Sequence, residues 1–153
     1  MKLSSVLLAR IIPMANFVYN SFCYDLCYNT IKIPTDVFYM MLVTSAYTPD
    51  RAHSKRSSIT NEVSGAGYTA GGKQVTMLLQ TVDNTNNDVE IFFDTVTWSS
   101  SSITARGAVI YKRRGSFSYL DELVQYIDFV TDKTSSSGDF IVAMDDSLKF
   151  QYI

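Results

Sequence analysis

The sequence predicts a mainly β fold, an antiparallel β-sandwich of jelly-roll-like type with one N-terminal helix. Apolar residues recur at every second position in several short runs, for example residues 75–81 and 89–93. Turn residues separate these runs at short intervals. The 153 residues include 18 serines, 14 threonines and 13% aromatic residues, whereas charged residues make up 18%. Such a composition favours strands over helices.

The predicted helix comes first, over residues 15–29. Val18, Phe22 and Leu26 recur there at every fourth position and form one apolar stripe. The continuous apolar run at residues 37–43 is too short for a helix of usual length. It predicts a strand that is buried on both faces.

Alternating runs follow after residue 74. The Asp- and Asn-rich residues 83–88 predict a turn, because such side chains bond their own backbone, and the flanking runs then form a hairpin. Residues 96–98 continue the alternation. In the next predicted strand, one face carries Ile103, Ala105, Gly107, Val109 and Tyr111.

The last part of the chain predicts a loop leading into a strand at residues 123–130, then a turn at 131–138. A strand at 140–144, a tight turn at 145–147 and a final strand at 148–152 follow. No linker or internal repeat interrupts residues 14–153, which we interpret as a single domain. Residues 1–13 are interpreted as an extension outside the folded core, as a misassigned start would produce, because a second methionine, Met14, precedes the regular pattern.

Charge and hydropathy argue against several classes of partner. The net charge is −2, and the basic cluster at residues 112–114 is typical of a solvated hairpin tip, so we expect no nucleic-acid binding. No stretch approaches the roughly 20 apolar residues of a membrane span, so we expect no membrane insertion.

The sequence also lacks a convincing metal or cofactor site. Cys23 and Cys27 are four residues apart and are interpreted as free thiols; half of a metal site is the alternative, but His53 is the single histidine. Five residues match calcium-loop offsets, but aspartates stand where the pattern needs Gly and Glu, so a hairpin turn is favoured: Asp83, Thr85, Asn87, Val89 and Asp94.

No catalytic residues are predicted. Residues 59–72 contain four of the seven glycines, yet no Lys-Ser/Thr pair follows, so this is no phosphate loop. The carboxylate pairs Glu62 with Asp94 and Asp121 with Glu122 lack a pattern that indicates acid–base chemistry. We therefore expect a protein that is not an enzyme.

Trp98 is the single tryptophan and is interpreted as a core or interface residue, with stacking on a sugar ring as the alternative. The strand at residues 103–112 is a candidate contact strip, with Arg106 and Tyr111 on opposite faces; a plain sheet interior explains it equally well. Tyr68, in the glycine-rich segment, completes the candidate interface residues.

Several segments together resemble a family of small tailed-bacteriophage structural proteins. The resemblance covers nearly all of residues 14–153 in order. Its segments are residues 14–20 (MANFVYN), 42–49 (LVTSAYTP), 59–65 (ITNEVSG), 67–72 (GYTAGG), 96–101 (VTWSSS), 103–112 (ITARGAVIYK), 126–129 (YIDF) and 135–140. The chain departs from the family pattern at residues 30–41, at residues 113–123 and at its end.

This resemblance implies a non-enzymatic virion component that is assembled in the bacterial host cytoplasm. It would be a capsid decoration or cement protein, or a fibre-associated subunit, that packs against other virion proteins and forms a homo-oligomer. The alternative is a receptor- or glycan-binding module of a tail fibre, which an exposed Trp98, Tyr47 or Tyr68 would favour.

Overall fold

The computed structural model describes residues 16–144 and 148–151. Residues 1–13 and the predicted turn at 145–147 therefore lie outside the described residues. The described chain is mainly β with antiparallel sheets and one α-helix, which confirms the predicted fold class. The elements in chain order are β1 Phe17–Val18, α1 Asn20–Cys27, β2 Phe38–Val43, β3 Lys73–Val75, β4 Met77–Asp83, β5 Asp88–Phe93, β6 Val96–Ser101, β7 Thr104–Lys112, β8 Leu123–Thr134, β9 Gly138–Val142 and β10 Leu148–Gln151.

The strands form three antiparallel sheets in the described part of the chain. A five-stranded sheet has the order β1-β8-β7-β2-β3, a three-stranded sheet the order β10-β5-β4, and β6 pairs with β9. The predicted hairpin around residues 83–88 is present, since Val82 lies opposite Val89 and Asp83 opposite Asp88. A carboxylate oxygen of Asp83 accepts the N–H of Thr85, at 2.8 Å, which fixes this turn.

The main core lies between the five-stranded sheet and the two smaller sheets. Met40, Leu42 and Ile110 from the large sheet pack with Ile91 and Trp98 from the small ones, and all five are buried. The helix adds Phe22 to this core. The apolar residues that alternate along the strands therefore form one core between two layers of sheet, as in a sandwich.

The five-stranded sheet is also buried on its other face. Met41, Val43 and Val109 form a second apolar cluster there with Tyr47 and Tyr126. This explains why β2 has no polar alternation: every residue in it except Tyr39 is buried. The prediction of a strand buried on both faces is confirmed.

Residues 44–72, which we call the cover, lie against the sheet without forming a strand of their own: Tyr47 and Ile59 pack in the second cluster, whereas Val63 and Tyr68 pack in the main core. Their backbone is tied to the sheet, because Val63 N–H donates to the Leu42 carbonyl and Leu123 N–H donates to the Ser54 carbonyl. The Arg56 guanidinium lies over the Tyr111 ring, 5.1 Å from its centre. A long connection of this kind is stable because its backbone and side-chain polar groups find partners on the sheet.

The glycine-rich segment is the end of this cover. Gly72 has φ +77°, and a Cβ there would overlap the carbonyl oxygen of Met40. The Tyr111 hydroxyl donates to the Gly71 carbonyl at 2.7 Å. The glycines therefore permit close backbone contact with β2 and β7, which is a packing role.

Three predicted elements differ from the structure. The helix spans Asn20–Cys27, shorter than predicted, because residues 17 and 18 pair with β8 as a strand. It stops before Asn29, which has φ +59°. β8 continues to Thr134 and β9 begins at Gly138, so the turn predicted at residues 131–138 is shorter and lies at residues 135–137.

β7 also departs from strict alternation. A register shift between Ala105 and Gly107 interrupts its pairing with β8: over these two steps along β7 the partner changes from Lys133 to Asp128, five residues back along β8. Ala105 therefore faces the main core together with Ala108, whereas Val109 and Tyr111 face the second cluster. The predicted single face running from Ile103 to Tyr111 is wrong for this reason.

Substitution of Gly72 by alanine should destabilise the protein by at least about 2 kcal/mol, because the new Cβ would collide with backbone and φ is positive. Gly138→Ala is the matched control: its nearest contact would be 3.8 Å, to the Ser136 carbonyl. Urea unfolding of both variants measures the difference. Equal stability of the two variants would contradict the close packing of residues 71–72 on β2.

Candidate functional site

Trp98 is fully buried in the main core. Its ring stacks on Tyr68, with ring centres 5.9 Å apart, and meets Phe140 edge to face at 6.3 Å. The Tyr68 hydroxyl donates to a Glu62 carboxylate oxygen at 2.8 Å and accepts the Leu42 N–H at 3.0 Å. Trp98 therefore anchors the glycine-rich segment to the core, which fits the core interpretation and not the interface one.

Tyr111 and Arg106 have different environments. Tyr111 is fully buried in the second cluster, and burial raises its pKa to about 12. None of its side chain is accessible in this subunit, so its role as a contact residue stays a prediction from the sequence. Arg106 remains partly exposed and pairs with Asp128 at 3.4 Å and Asp132 at 3.7 Å. Of the four predicted interface residues, Arg106 is the one with a substantially accessible charged group.

His53, within the cover, belongs to a chain of hydrogen bonds that reaches Tyr19. Its Nδ1 atom is 3.1 Å from the Tyr47 hydroxyl, which is 3.3 Å from the Tyr19 hydroxyl. Burial raises the pKa of both tyrosines. Tyr19 and Tyr47 are buried in the second cluster, so this chain links two apolar segments and presents no nucleophile to solvent.

The structure separates the members of the first predicted carboxylate pair. Glu62 accepts from Tyr68 and from the Gly71 N–H within the cover. Asp94 instead accepts the Thr76 N–H at 2.9 Å and closes the start of β4. Each carboxylate has a structural hydrogen bond of its own.

Asp121 and Glu122 are both buried and bind different cations. A carboxylate oxygen of Asp121 is 2.7 Å from Arg56 Nε, and its other oxygen accepts the Arg114 N–H at 2.7 Å. Glu122 pairs with Lys55 at 2.9 Å and with Arg114 at 2.8 Å. These two acids join the cover to the β7–β8 connection.

A further ion pair extends this cluster to the segment after the helix. Lys112 Nζ is 2.7 Å from an Asp36 carboxylate oxygen and donates to the Thr30 carbonyl at 2.6 Å. The sequence predicts a solvated hairpin tip at residues 112–114, but Lys112 is buried in an ion pair and Arg114 pairs with Glu122. We refer to Asp36, Lys55, Arg56, Lys112, Arg114, Asp121 and Glu122 as the ionic cluster.

Carboxyl groups in the cluster and beside it have pKa values that are shifted in opposite directions. Burial acts to raise the pKa of Glu122, but hydrogen bonds from Arg114 and Lys55 outweigh it and leave that pKa below its usual range. Asp36 has a lowered pKa for the same reason, with Lys112 as the partner. Burial dominates at Asp25, whose pKa is raised although Lys55 acts to lower it.

The predicted metal-related residues have other roles in the described chain. Cys23 and Cys27 are both free and exposed, which confirms the interpretation as thiols. Among the described residues, no group of three or more His, Cys, Asp or Glu side chains is placed to hold a metal ion. The Asp83 carboxylate is instead hydrogen-bonded to its own turn.

Two open clefts are present on the described surface. The first has a volume of about 530 Å³ and is lined mainly by hydroxyl groups, with Glu62 as its one carboxylate. Several of these hydroxyls are already bonded to each other: Thr104 to Thr134 at 2.9 Å, and Ser135 to the neighbouring Ser101 at 2.7 Å. The second, of about 430 Å³, lies between β8 and β9 and includes Phe129 and Ile141.

Two groups of apolar side chains remain on the surface. Tyr24 and Tyr28 are 60% and 67% exposed, and their rings stack with centres 4.3 Å apart. Phe117 and Tyr119 are 60% and 59% exposed, with ring centres 5.5 Å apart, and the exposed Leu120 follows them. The excess of aromatic residues in the predicted helix is the sequence feature that indicates the first of these two groups, Tyr24 and Tyr28.

We call Tyr24 and Tyr28, with the exposed Cys23 and Cys27, the helix patch. The single charged residue between Asn20 and Cys27 is Asp25, and it is buried. The outer surface of the helix is therefore uncharged, which is unusual for a surface helix in water. Contiguous exposed apolar surface of this kind is typical of contact sites.

Comparison with known proteins gives no match: no family model, curated protein or solved structure is similar to this chain. In the described residues, no helix has both the length and the apolar character needed to cross a membrane. The resemblance to phage structural proteins therefore remains a prediction from the sequence.

Arg56→Met should destabilise the protein by roughly 3–5 kcal/mol, because it leaves the fully buried Asp121 carboxylate without its cation. Arg106→Met is the matched control, since its acidic partners are partly exposed, and should cost less than about 1 kcal/mol. Chemical unfolding measures both. A loss at Arg56 no larger than at Arg106 would show that the buried pair is not stabilising.

The ionic cluster also predicts the pH dependence of stability. The lowered pKa values of Glu122 and Asp36 contribute stability above their usual pKa, near 4, and this stability is lost as the pH falls through the lower folded values. Asp25 acts oppositely, because its raised pKa means that ionisation near and above pH 4 costs stability. Asp25→Asn should therefore raise the melting temperature at pH 7.

The gain from Asp25→Asn should vanish at pH 3, where the wild-type carboxyl group is already protonated. Thermal unfolding of both proteins from pH 3 to pH 7 measures this difference. A gain that does not change with pH would mean that it arises from something other than the buried charge.

Proposed function

We propose that this chain is a non-enzymatic structural subunit of a tailed-bacteriophage virion, a capsid decoration or cement protein or a fibre-associated subunit. It acts by packing against other virion proteins. The observation that carries the proposal is the uncharged helix patch, which leaves a stacked tyrosine pair and two thiols exposed on one helix. The second exposed aromatic group, at residues 117–120, adds to it.

The internal chemistry of the subunit supports the same proposal. The carboxylates singled out by sequence, Glu62, Asp94, Asp121 and Glu122, all stabilise the fold through hydrogen bonds or ion pairs. His53 bonds a buried tyrosine. Aromatic side chains are enriched at the centres of protein interfaces, where charged groups are depleted. The helix patch has this composition.

The glycan-binding alternative has less support. Exposure of Trp98, Tyr47 or Tyr68 would favour glycan binding. Trp98 and Tyr47 are buried, and the Tyr68 hydroxyl is hydrogen-bonded to Glu62. The hydroxyl-lined cleft contains none of the aromatic side chains on which a sugar ring stacks. A glycan array with the purified protein tests it, and specific binding would favour this alternative.

The proposal predicts that Tyr24→Ser combined with Tyr28→Ser abolishes incorporation into particles while leaving the melting temperature within a few degrees of wild type. The two side chains contribute little to the core because they are more than half exposed. Mass spectrometry and immunogold electron microscopy of purified particles measure incorporation.

Asn84→Ser, at an exposed position in the β4–β5 turn, is the control and should be incorporated normally. Absence of the wild-type protein from particles would overturn the virion assignment. Normal incorporation of the double tyrosine variant would exclude the helix patch as the contact.

A further inference from the structure

Arg113 is an exposed cation that forms no ion pair within the described part of the chain, although its neighbours Lys112 and Arg114 both form one. Its guanidinium group lies instead over the ring of Tyr39, 4.4 Å from the ring centre. The side chain is therefore held in place by an aromatic face, which leaves its N–H groups free to bind something else.

Arg56 is held in a similar way. Its guanidinium group lies over the Tyr111 ring, and its Nε–H donates to Asp121. Its Nη groups make no hydrogen bond to the described residues. Tyr39 on β2 and Tyr111 on β7 are direct neighbours across the sheet, with ring centres 6.2 Å apart. Two adjacent rings therefore position two guanidinium groups side by side.

The tips of these two side chains meet above Gly71, which has φ +89°. Apart from its chain neighbours, three heavy atoms are nearest to the position that a Cβ of residue 71 would take. They are the Tyr111 hydroxyl oxygen, at 3.3 Å, and the Nη1 atoms of Arg113 and Arg56, each at 4.0 Å. Glycine leaves this space open, and a small group beside it can contact both guanidinium groups. We call Arg56, Arg113 and Gly71 the guanidinium cradle.

The acidic groups near the cradle are engaged in other bonds. Glu62 Oε1 accepts the Gly71 N–H and a tyrosine hydroxyl. Both oxygens of Asp121 accept hydrogen bonds, one of them from Arg56 Nε. Among the residues that the structure describes, neither acid forms an ion pair with Arg113. The charge of Arg113 is therefore not balanced by a carboxylate, and the cradle can accept one further negative charge.

The donors of the cradle match a carboxylate. Guanidinium groups bind planar oxyanions through N–H···O bonds of about 2.7–2.9 Å, and two of them can share the two oxygens of one carboxylate. Stacking on the tyrosine rings fixes both guanidinium groups beforehand, so less freedom is lost on binding. A phosphate carries more than one negative charge at neutral pH, and Glu62 and Asp121 would repel the excess. A singly charged carboxylate is therefore favoured.

We propose that the guanidinium cradle binds one carboxylate group, which accepts hydrogen bonds from Nη1 of Arg56 and Nη1 of Arg113. Two sources have this chemistry: an acidic side chain of another protein and a small free carboxylate ion. Both can reach the site from solvent, because Arg113 is exposed and the Arg56 side chain is 18% exposed. The cradle is separate from the helix patch, and its binding does not depend on the virion assignment.

Arg113→Gln removes one half of the cradle. The variant should fold, with a melting temperature within a few degrees of wild type, because this side chain is exposed. Arg51→Gln is the matched control: Arg51 is also exposed and lies over an aromatic ring, that of Phe17, at 4.9 Å, but it is not part of the cradle. Arg113→Lys is a second variant that keeps the charge and loses the planar guanidinium group.

Nuclear magnetic resonance titration of the isotope-labelled full-length protein at constant ionic strength measures binding. The probes are acetate, inorganic phosphate and a capped peptide of alternating glycine and glutamate. The peptide or acetate should produce a saturable shift of the Gly71 N–H and of the Arg56 and Arg113 Nε–H signals. Arg113→Gln should weaken this binding at least about tenfold, as expected for loss of a charge-assisted hydrogen bond, and Arg51→Gln should leave it unchanged.

The two carboxylate probes separate the two sources. Tighter binding of the peptide than of acetate assigns the site to a protein side chain, and equal binding assigns it to a free carboxylate ion.

Four outcomes would overturn the proposal. They are the absence of a saturable shift with both carboxylate probes, an equal effect of Arg113→Gln and Arg51→Gln, tighter binding of phosphate than of either carboxylate, and full binding by Arg113→Lys, which would indicate attraction by charge alone. The titration needs only purified protein, so its failure is distinguishable from failure of the virion assignment, which is measured on particles.

Discussion

The fold depends on burial of the five-stranded sheet on both faces. One face packs against the smaller sheets, and the other packs against Tyr47 and Ile59 of the cover, which forms no strand in that sheet. The Arg56–Asp121 pair holds this cover against the β7–β8 connection, with Asp121 fully buried. A buried carboxylate without its cation would be costly, so the position of the cover, and with it the second cluster, depends on this contact.

The cover explains why conspicuous residues are internal. Trp98, Tyr111 and the glycines of residues 65–72 attract attention as candidates for binding, but each packs inside the subunit. Tyr111 and Gly72 hold the cover to the five-stranded sheet, whereas Trp98, Gly65 and Gly67 hold it to β6 and the residues that follow. Glycine permits the backbone to approach Met40, and aromatic rings fill the space beneath. Among the described residues, the apolar side chains that stay accessible include those on the outer surface of the helix, the 117–120 group, and Leu78 and Val82 of β4.

Much of the fold was predictable from local patterns. The run at residues 37–43 predicts a doubly buried strand, and the Asx-rich residues 83–88 predict the hairpin; both are present. The face of β7 was not predictable, because the strand exchanges its two faces at the register shift between Ala105 and Gly107. The helix was predicted too long, since Phe17 and Val18 gain more from pairing with β8 than a local pattern can indicate.

The sequence by itself determined the fold class, the single helix, the free thiols and the lack of a recognisable catalytic pattern, because these depend on residue type and short-range spacing. Only the tertiary structure decided which side chains are accessible. Lys112 and Asp36 are far apart in sequence yet 2.7 Å apart in space, and Tyr24 is exposed whereas Tyr111 is not. Exposure depends on which distant segments pack together, and no periodicity within one strand or helix contains that information.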